Sequence, residues 1–314
     1  MKIAIIGLGD IAQKAYLPII TQMPGIELVF CTRNAQTLAV LAQQYRITQS
    51  CTDYKDVLKF KVDAVMIHAA TAIHPEIAAF FLTQGIPTFV DKPLADSASS
   101  CERLYELAEK HQQPLYVGFN RRHIPLYKQH IGENTQLGNN ENLLALHWQK
   151  NRHNQPGDIR TFIFDDFIHP LDSINLNAKS EIENADVRFQ MQGNQLARLD
   201  IQWQHGNTLL CASMDRMFGI TNETVTARFN NASYQFNSFV TGTECSNNQE
   251  QQLALKDWTP MLTSKGFQSM LNDWFSVVEK GVLDSHLVER NLASHQLADS
   301  LCGHVENVIA KSNR

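Results

Sequence analysis

An apolar, β-branched run, Lys2-Ile3-Ala4-Ile5-Ile6, passes directly into Gly7-Leu8-Gly9-Asp10-Ile11-Ala12, and a segment of helical period comes next. A strand, a GxGxxA turn and a helix in immediate succession constrain the fold more than any other feature of the chain. The first glycine permits the tight turn, the second lets a ligand approach the backbone, and a small third residue, here Ala12, lets the helix pack closely on the strand. Free N–H groups and the positive dipole end of the helix suit a pyrophosphate. The pattern has two readings, a dinucleotide site or a simple tight turn. Its place at the head of an alternating α/β segment favours the site, with Gly7, Gly9, Asp10, Ile11 and Ala12 as contacts.

Up to about residue 120, apolar runs at Lys2–Ile6, Glu27–Cys31, 64–69, 88–90 and Leu115–Gly118 alternate with helical segments at 11–23, Ala35–Tyr45, 74–84 and 97–111. This alternation predicts an α/β domain, a doubly wound parallel sheet with helices on both faces. The rhythm then changes. Runs at 143–150, 187–192, 196–204, 208–214, 224–229 and 233–239 succeed one another with little helix between them. They predict an α+β domain with a large, mainly antiparallel open sheet, closed by helices at Phe267–Lys280 and 288–311. The polar stretch 133–142 reads as a surface loop. A chain of 314 residues exceeds what one core supports, roughly 250–300, and the boundary is drawn between domains 1–122 and 123–314.

Several function classes are excluded. With 27 basic against 32 acidic side chains, a net charge of −5 and no Lys/Arg cluster, there is no footprint for nucleic acid. No apolar run approaches the ~20 residues of a membrane helix, and the first residues read as strand and turn, not as a cleavable signal. A cytoplasmic protein is expected. Cys31, Cys51, Cys101, Cys211, Cys245 and Cys302 show neither CxxC nor zinc spacing, so reduced structural thiols are expected and no metal centre.

A protein selecting NAD places an acidic residue at the end of the second strand, for the ribose hydroxyls. This chain has Thr32-Arg33-Asn34 there. A guanidinium suits a 2′-phosphate and points to NADP in preference to NAD, the other reading being a solvated turn. His68-Ala69-Ala70-Thr71, His74 and Asp91-Lys92-Pro93 lie at the carboxyl ends of later strands, the rim at which such sheets bind ligands. By itself an Asp-Lys-Pro tripeptide is equally a surface turn. Further on, Asp165 and His169 stand four apart in a predicted helix, where a carboxylate orients an imidazole for proton transfer. A helix cap followed by a satisfied histidine is the other reading. Pro170 removes a backbone N–H at that point and predicts a kink.

Residues 7–12, Thr71 with His74, Asp91-Lys92-Pro93, Gly118-Phe119-Asn120-Arg121-Arg122 and the Asp165/His169 pair resemble, in order and spacing, the Gfo/Idh/MocA family of glucose–fructose oxidoreductases and inositol dehydrogenases. The likeness spans the chain, is strongest over its first 125 residues, and at 164–169 looks most like the MviM-like subgroup. The resemblance implies a Rossmann domain and a second domain whose open sheet forms homodimers or homotetramers. It also implies NAD(P)-dependent hydride transfer to or from a hydroxyl or carbonyl carbon of a sugar, polyol or similar small substrate. By position, Lys92, His169 and Asp165 become catalytic. Thr32, Arg33, Asn34, Ala69, Ala70, Thr71, His74, Asp91, Lys92 and Asn120 join the cofactor contacts, and Lys92, His169, Asp172 and Arg122 face the substrate.

Three departures from the family pattern stand out: Asp91 for the usual Glu, Ala72 for a common Pro, and Phe167 for a frequent Gly. Two alternatives share the fold, a cofactor-recycling glycoside hydrolase or lyase and a non-catalytic NAD(P)-binding regulator. Retention of Lys92, Asp165 and His169 argues against the regulator, which needs no acid/base group.

Overall fold

A computed structural model describes residues 1–132 and 143–312. The stretch 133–142, expected to be a surface loop, lies outside the described residues. By packing, the chain divides into one unit of Met1–Phe119 with Phe267–Ser285 and another of Asn120–Gly266 with His286–Arg314.

The first unit is built on a parallel sheet of β1 (Lys2–Ile6), β2 (Glu27–Cys31), β3 (Gln49–Cys51), β4 (Ala64–Ile67), β5 (Thr88–Asp91) and β6 (Leu115–Gly118), in the order β3-β2-β1-β4-β5-β6. Strands covered on both faces read as continuous apolar runs; Ile3, Ala4, Ile5 and all of β4 are fully buried. The edge strand β3 has no counterpart among the expected strands, because Gln49-Ser50-Cys51 carries no apolar pattern and is a strand only by pairing with β2. Strand β4 stops at Ile67, so His68 and Ala69 leave the sheet at its rim. The order reverses between β1 and β4, which makes their carboxyl ends the switch point where doubly wound sheets bind ligands.

Helix Ala35–Tyr45 starts at Asn34, whose side chain accepts the Thr37 N–H, and ends at Arg46 in the left-handed region. Helix Phe267–Lys280 belongs to this unit despite its place in the sequence. Its Trp274 ring lies 5.6 Å from that of Tyr116, and the Tyr116 hydroxyl donates to Asp273. The periodicity of this helix shows an apolar face but not the sheet that covers it, so the sequence-based boundary leaves it in the second domain.

The helix expected at 11–23 is a widened π turn, Ala12–Tyr16, followed by the α turn Leu17–Ile20. The Leu17 N–H reaches back five residues to the Ala12 carbonyl, and Pro18 has no N–H with which to continue an ordinary ladder. The second unit repeats this. In the π segment Phe162–Phe167 the Ile168 N–H reaches Ile163, and Pro170 comes after it in helix Ile168–Ile174.

The second unit carries an eight-stranded sheet in the order β14-β13-β12-β11-β7-β10-β9-β8. Its strands are β7 (Leu143–Asn151), β8 (Ala185–Gln192), β9 (Gln195–His205), β10 (Thr208–Asp215), β11 (Asn222–Phe229), β12 (Ala232–Phe236), β13 (Thr241–Ser246) and β14 (Gln249–Ala254). All pairs are antiparallel except β7 with β10. The hairpin β13–β14 is hidden in the sequence because its residues are mostly polar; Asn247 and Asn248, both at positive φ, make its two-residue turn. Leu146, Trp148, Leu199, Ile201, Leu210, Ala212 and Met214 point into the core. Helix Ile168–Ile174, buried at every position, lies against β7 and β10.

Candidate active site

In the first unit, Gly7, Leu8 and Gly9 open on a pocket of about 520 Å³ lined also by Thr32, Arg33, Tyr54, Ala69, Ala70 and Ile73. Gly7 has φ +88°, and a Cβ there would lie 2.6 Å from the Ala69 nitrogen, so only glycine lets β1 turn against the end of β4. A Cβ on Gly9 would meet nothing within 4 Å, so the space above the turn is open. Ala12 is fully buried, the small residue that close packing needs. A bare cradle of backbone, an open volume beside it and Arg33 exposed at the far end fit a dinucleotide.

Other predicted contacts have resolved local roles. Asp10 is exposed and pairs with Lys14 one turn on, Ile11 is exposed, and Asn34 caps its helix. Thr71 begins a short 3₁₀ turn, Thr71–Ile73. His74 is buried, with Nε2 2.8 Å from the Ala69 carbonyl oxygen and Nδ1 2.9 Å from that of Pro93. It ties the rim of β4 to the turn after β5, whose Lys92–Pro93 bond is cis.

Asp91 closes β5 and is buried, and its carboxylate accepts the Tyr16 hydroxyl at 2.7 Å. Burial pushes its carboxyl up, while Lys92 and the Tyr16 bond pull it back. Lys92 is half buried. Beside Tyr16, at 4.0 Å between ring centres, stands His68. Burial drives its imidazole down to about 3, and its ring nitrogens have no hydrogen-bond partner among the described residues. Sequence reasoning placed His68 at the ligand-binding rim but missed Tyr16, because an aromatic in a helical run reads as packing.

In the second unit His169 is buried on helix Ile168–Ile174, whereas Asp165 is exposed. The carboxylate that turns inward is its neighbour Asp166. It is paired with Lys150, with Arg152 through two bonds of 2.9 Å, and with Arg216 at 3.0 Å. Burial opposes its charge, but Lys150 and then Arg152 outweigh it and hold the carboxyl well below the usual range. Burial in turn lowers the Lys150 ammonium to about 7. Next to this group Glu223 accepts from Arg121 and from the Trp148 indole at 2.7 Å. The available signal was Lys150 two residues after Trp148, on the strand face that also carries the core residue Leu146.

Asp172 is 1% exposed and its carboxylate is engaged by Arg122, through bonds of 2.9 and 2.5 Å, and by Ser294 at 2.8 Å. Two of the predicted substrate residues, Arg122 and Asp172, are therefore brought together as a pair. Asn120 donates to the Lys265 carbonyl and accepts from Arg121. Phe167 is fully buried in the core of this unit. No group of three or more potential metal-ligating side chains occurs among the described residues, and there no helix is long and apolar enough to cross a membrane.

A crystal structure of a Gfo/Idh/MocA family oxidoreductase from Vibrio cholerae superposes with a TM-score of 0.97 at 60% identity, covering 99% of each chain. The chain belongs to the Gfo/Idh/MocA family. Residues 1–119 match the model of this oxidoreductase family with its NAD-binding Rossmann fold. Within the family, a dehydrogenase (MviM) from Clostridium difficile is 27% identical over 98% of this chain and 99% of its own, with a TM-score of 0.83, in keeping with the MviM-like subgroup. The inositol 2-dehydrogenase of Salmonella paratyphi B is 25% identical over 207 residues, 63% of this chain and 61% of that protein. As a Gfo/Idh/MocA member the protein is an oxidoreductase that binds NAD(P) in its first unit.

Proposed function

We propose that this oxidoreductase interconverts a hydroxyl and a carbonyl on a sugar, a polyol or a similar small polar substrate, with NADP preferred over NAD. The observation that carries the reading is the open glycine cradle at the β1/β4 switch point with Thr32-Arg33-Asn34, and no acidic residue, directly after β2. Gly7, Gly9 and the helix start after them would hold the pyrophosphate, Thr32 and Arg33 the adenosine ribose and its 2′-phosphate, and Ala69, Ala70, Thr71 and Asp91 the remainder. The bound dinucleotide supplies the redox equivalent, as hydride, at its nicotinamide.

The protein supplies proton transfer and charge. In the oxidative direction His169, with Asp165 as its supporting carboxylate, would serve as acceptor of the hydroxyl proton, and the Lys92 ammonium as a donor that stabilises developing negative charge. Reduction reverses these roles. Arg122, held by Asp172, binds a polar group of the substrate. Likeness to an inositol 2-dehydrogenase supports a polyol. Self-association into a dimer or tetramer through the large sheet is supported by Leu144 and Leu209, exposed on the adjacent strands β7 and β10. Six free thiols suit the cytoplasm.

The test is a panel of sugars, polyols and their keto forms with NADPH, NADP, NADH and NAD, read by absorbance of the reduced nicotinamide. On the substrate so identified, His169→Ala and Lys92→Ala are expected to lower turnover about 10²–10⁴-fold while the dinucleotide still binds. Wild-type turnover in both variants overturns the assignment. Glycoside cleavage without net reduction of the dinucleotide points instead to a cofactor-recycling hydrolase.

A further inference from the structure

We infer that Tyr16 is a positioning residue for Lys92: by donating its hydroxyl to Asp91 it fixes the carboxylate that holds the Lys92 backbone, and with it the direction in which the lysine is presented. The inference rests on the role proposed for Lys92.

Tyr16 is fully buried at the end of the widened turn Ala12–Tyr16, 75 residues from its partner in sequence. Its ring is held on several sides, 4.0 Å from His68, 5.4 Å from Phe267 and 5.8 Å from Phe89 between ring centres, the last two edge-on. A ring clamped in this way presents its hydroxyl in one direction, toward Asp91 Oδ1 at 2.7 Å. The same carboxylate accepts the backbone N–H of Lys92. A chain of hydrogen bonds thus runs from the first helix after the glycine turn to the main chain of the lysine.

The neighbouring strand leaves room for this arrangement. Gly118 pairs with Asp91 across β5 and β6. A Cβ on it would lie 2.9 Å from the Tyr16 hydroxyl, 3.1 Å from Asp91 Oδ1 and 2.8 Å from Phe89 Cζ. Any larger residue at 118 would displace the pair. The neutral His68 ring covers Tyr16 without competing for its hydroxyl, since its own nitrogens make no bond among the described residues. The groups acting on the Asp91 charge are Lys92, Tyr16 and His74; burial opposes that charge, and each of the three favours it.

The experiment is a double-mutant cycle of Tyr16→Phe, which keeps the ring and its packing, with Asp91→Ala. Two quantities are read: hydrogen exchange of the backbone around Lys92 in the chain without added dinucleotide, and NADPH affinity by fluorescence between pH 5 and 9. Tyr16→Phe is expected to speed exchange and weaken NADPH about tenfold, the effect of one hydrogen bond to a charged group. The double variant should be no worse than Asp91→Ala alone. In Tyr16→Phe the pH below which NADPH affinity falls should also move upward, because the carboxylate has lost a donor that favours its charged form; loss of packing alone would not produce that movement. Additive losses in the cycle with an unmoved pH profile overturn the inference and leave Tyr16 as core. A wild-type chain that binds neither NADPH nor NADH overturns the proposed function and this inference with it, whereas binding with an additive cycle overturns this inference alone.

Discussion

His74 reaches Pro93 across the rim of the first sheet, its Nδ1 2.9 Å from the Pro93 carbonyl oxygen, while its Nε2 holds the Ala69 carbonyl at 2.8 Å. One side chain therefore fixes both the loop below the dinucleotide pocket and the turn that carries Lys92. His74→Leu preserves bulk and removes both polar contacts, at least one of them a hydrogen bond. Each lost buried bond costs about 1–3 kcal/mol, so dinucleotide affinity is expected to fall about tenfold or more with a lower melting temperature. Fluorescence titration with NADPH checks this, and unchanged affinity would show that the loop holds itself.

Gly7 and Gly9 separate fold from binding. Gly7→Ala places a Cβ 2.6 Å from the Ala69 nitrogen at φ +88°. Strain of about 1–3 kcal/mol is expected, visible as a lower urea midpoint. Gly9→Ala meets no atom within 4 Å, so stability should stay within about 0.5 kcal/mol of wild type. The added methyl would still occupy the space above the turn and weaken NADPH. A Gly9→Ala chain that binds NADPH as wild type does would place the dinucleotide elsewhere.

Arg33 decides the choice of cofactor if the 2′-phosphate reading holds. Arg33→Ala should weaken NADPH about tenfold, the loss of one charge-assisted bond, and leave NADH nearly unchanged. Tighter binding of NADH than NADPH by the wild type would remove the role assigned to Arg33.

Asp166 is the anion that Lys150, Arg152 and Arg216 share. Asp166→Ala leaves three cations without it, and breaking such a buried pair costs about 3–5 kcal/mol. Its folded carboxyl is held below the unfolded value. The stabilisation is therefore complete above about pH 4, the unfolded carboxyl value, and is lost as pH falls toward the folded one. The gap between wild type and variant in urea denaturation should narrow in acid; a constant gap would exclude an ionised Asp166.

Lys150 has a dependence of the same sign in a more alkaline window. Burial lowers its folded value to about 7, whereas the unfolded ammonium titrates near 10.4, approximately. Between those values the unfolded chain binds more protons, so wild-type stability should rise with pH relative to Lys150→Met. A flat difference from pH 7 to 10 would place the Lys150 titration outside this window.

Much of the first unit was legible because a strand buried on both faces must be apolar throughout. Lys2–Ile6, Glu27–Cys31 and Leu115–Gly118 appear where that pattern predicts them. The polar strands β3, β13 and β14 were not legible, since each is a strand only by virtue of its neighbour. In the second unit the Asp165/His169 spacing assumed an unbroken α-helix. The segment before Pro170 is a widened turn in which Asp165 is exposed and its neighbour Asp166, which the sequence did not single out, turns inward to Lys150 on β7 and to Arg152 and Arg216 just past the ends of β7 and β10.

From its local patterns alone the sequence determined a nucleotide-binding turn at residues 7–12, the alternation that yields a doubly wound sheet, and the switch to a largely antiparallel one. Those properties depend on neighbours a few residues apart, and periodicity records them. Tertiary structure decided the partners: Tyr16 for Asp91, Trp274 against Tyr116, and Glu223 beside Trp148 and Lys150, a register set by β11 pairing with β7. Periodicity shows which face of a helix or strand is buried. Which charge or ring waits opposite depends on the order in which strands come together, and that order is a property of the folded chain.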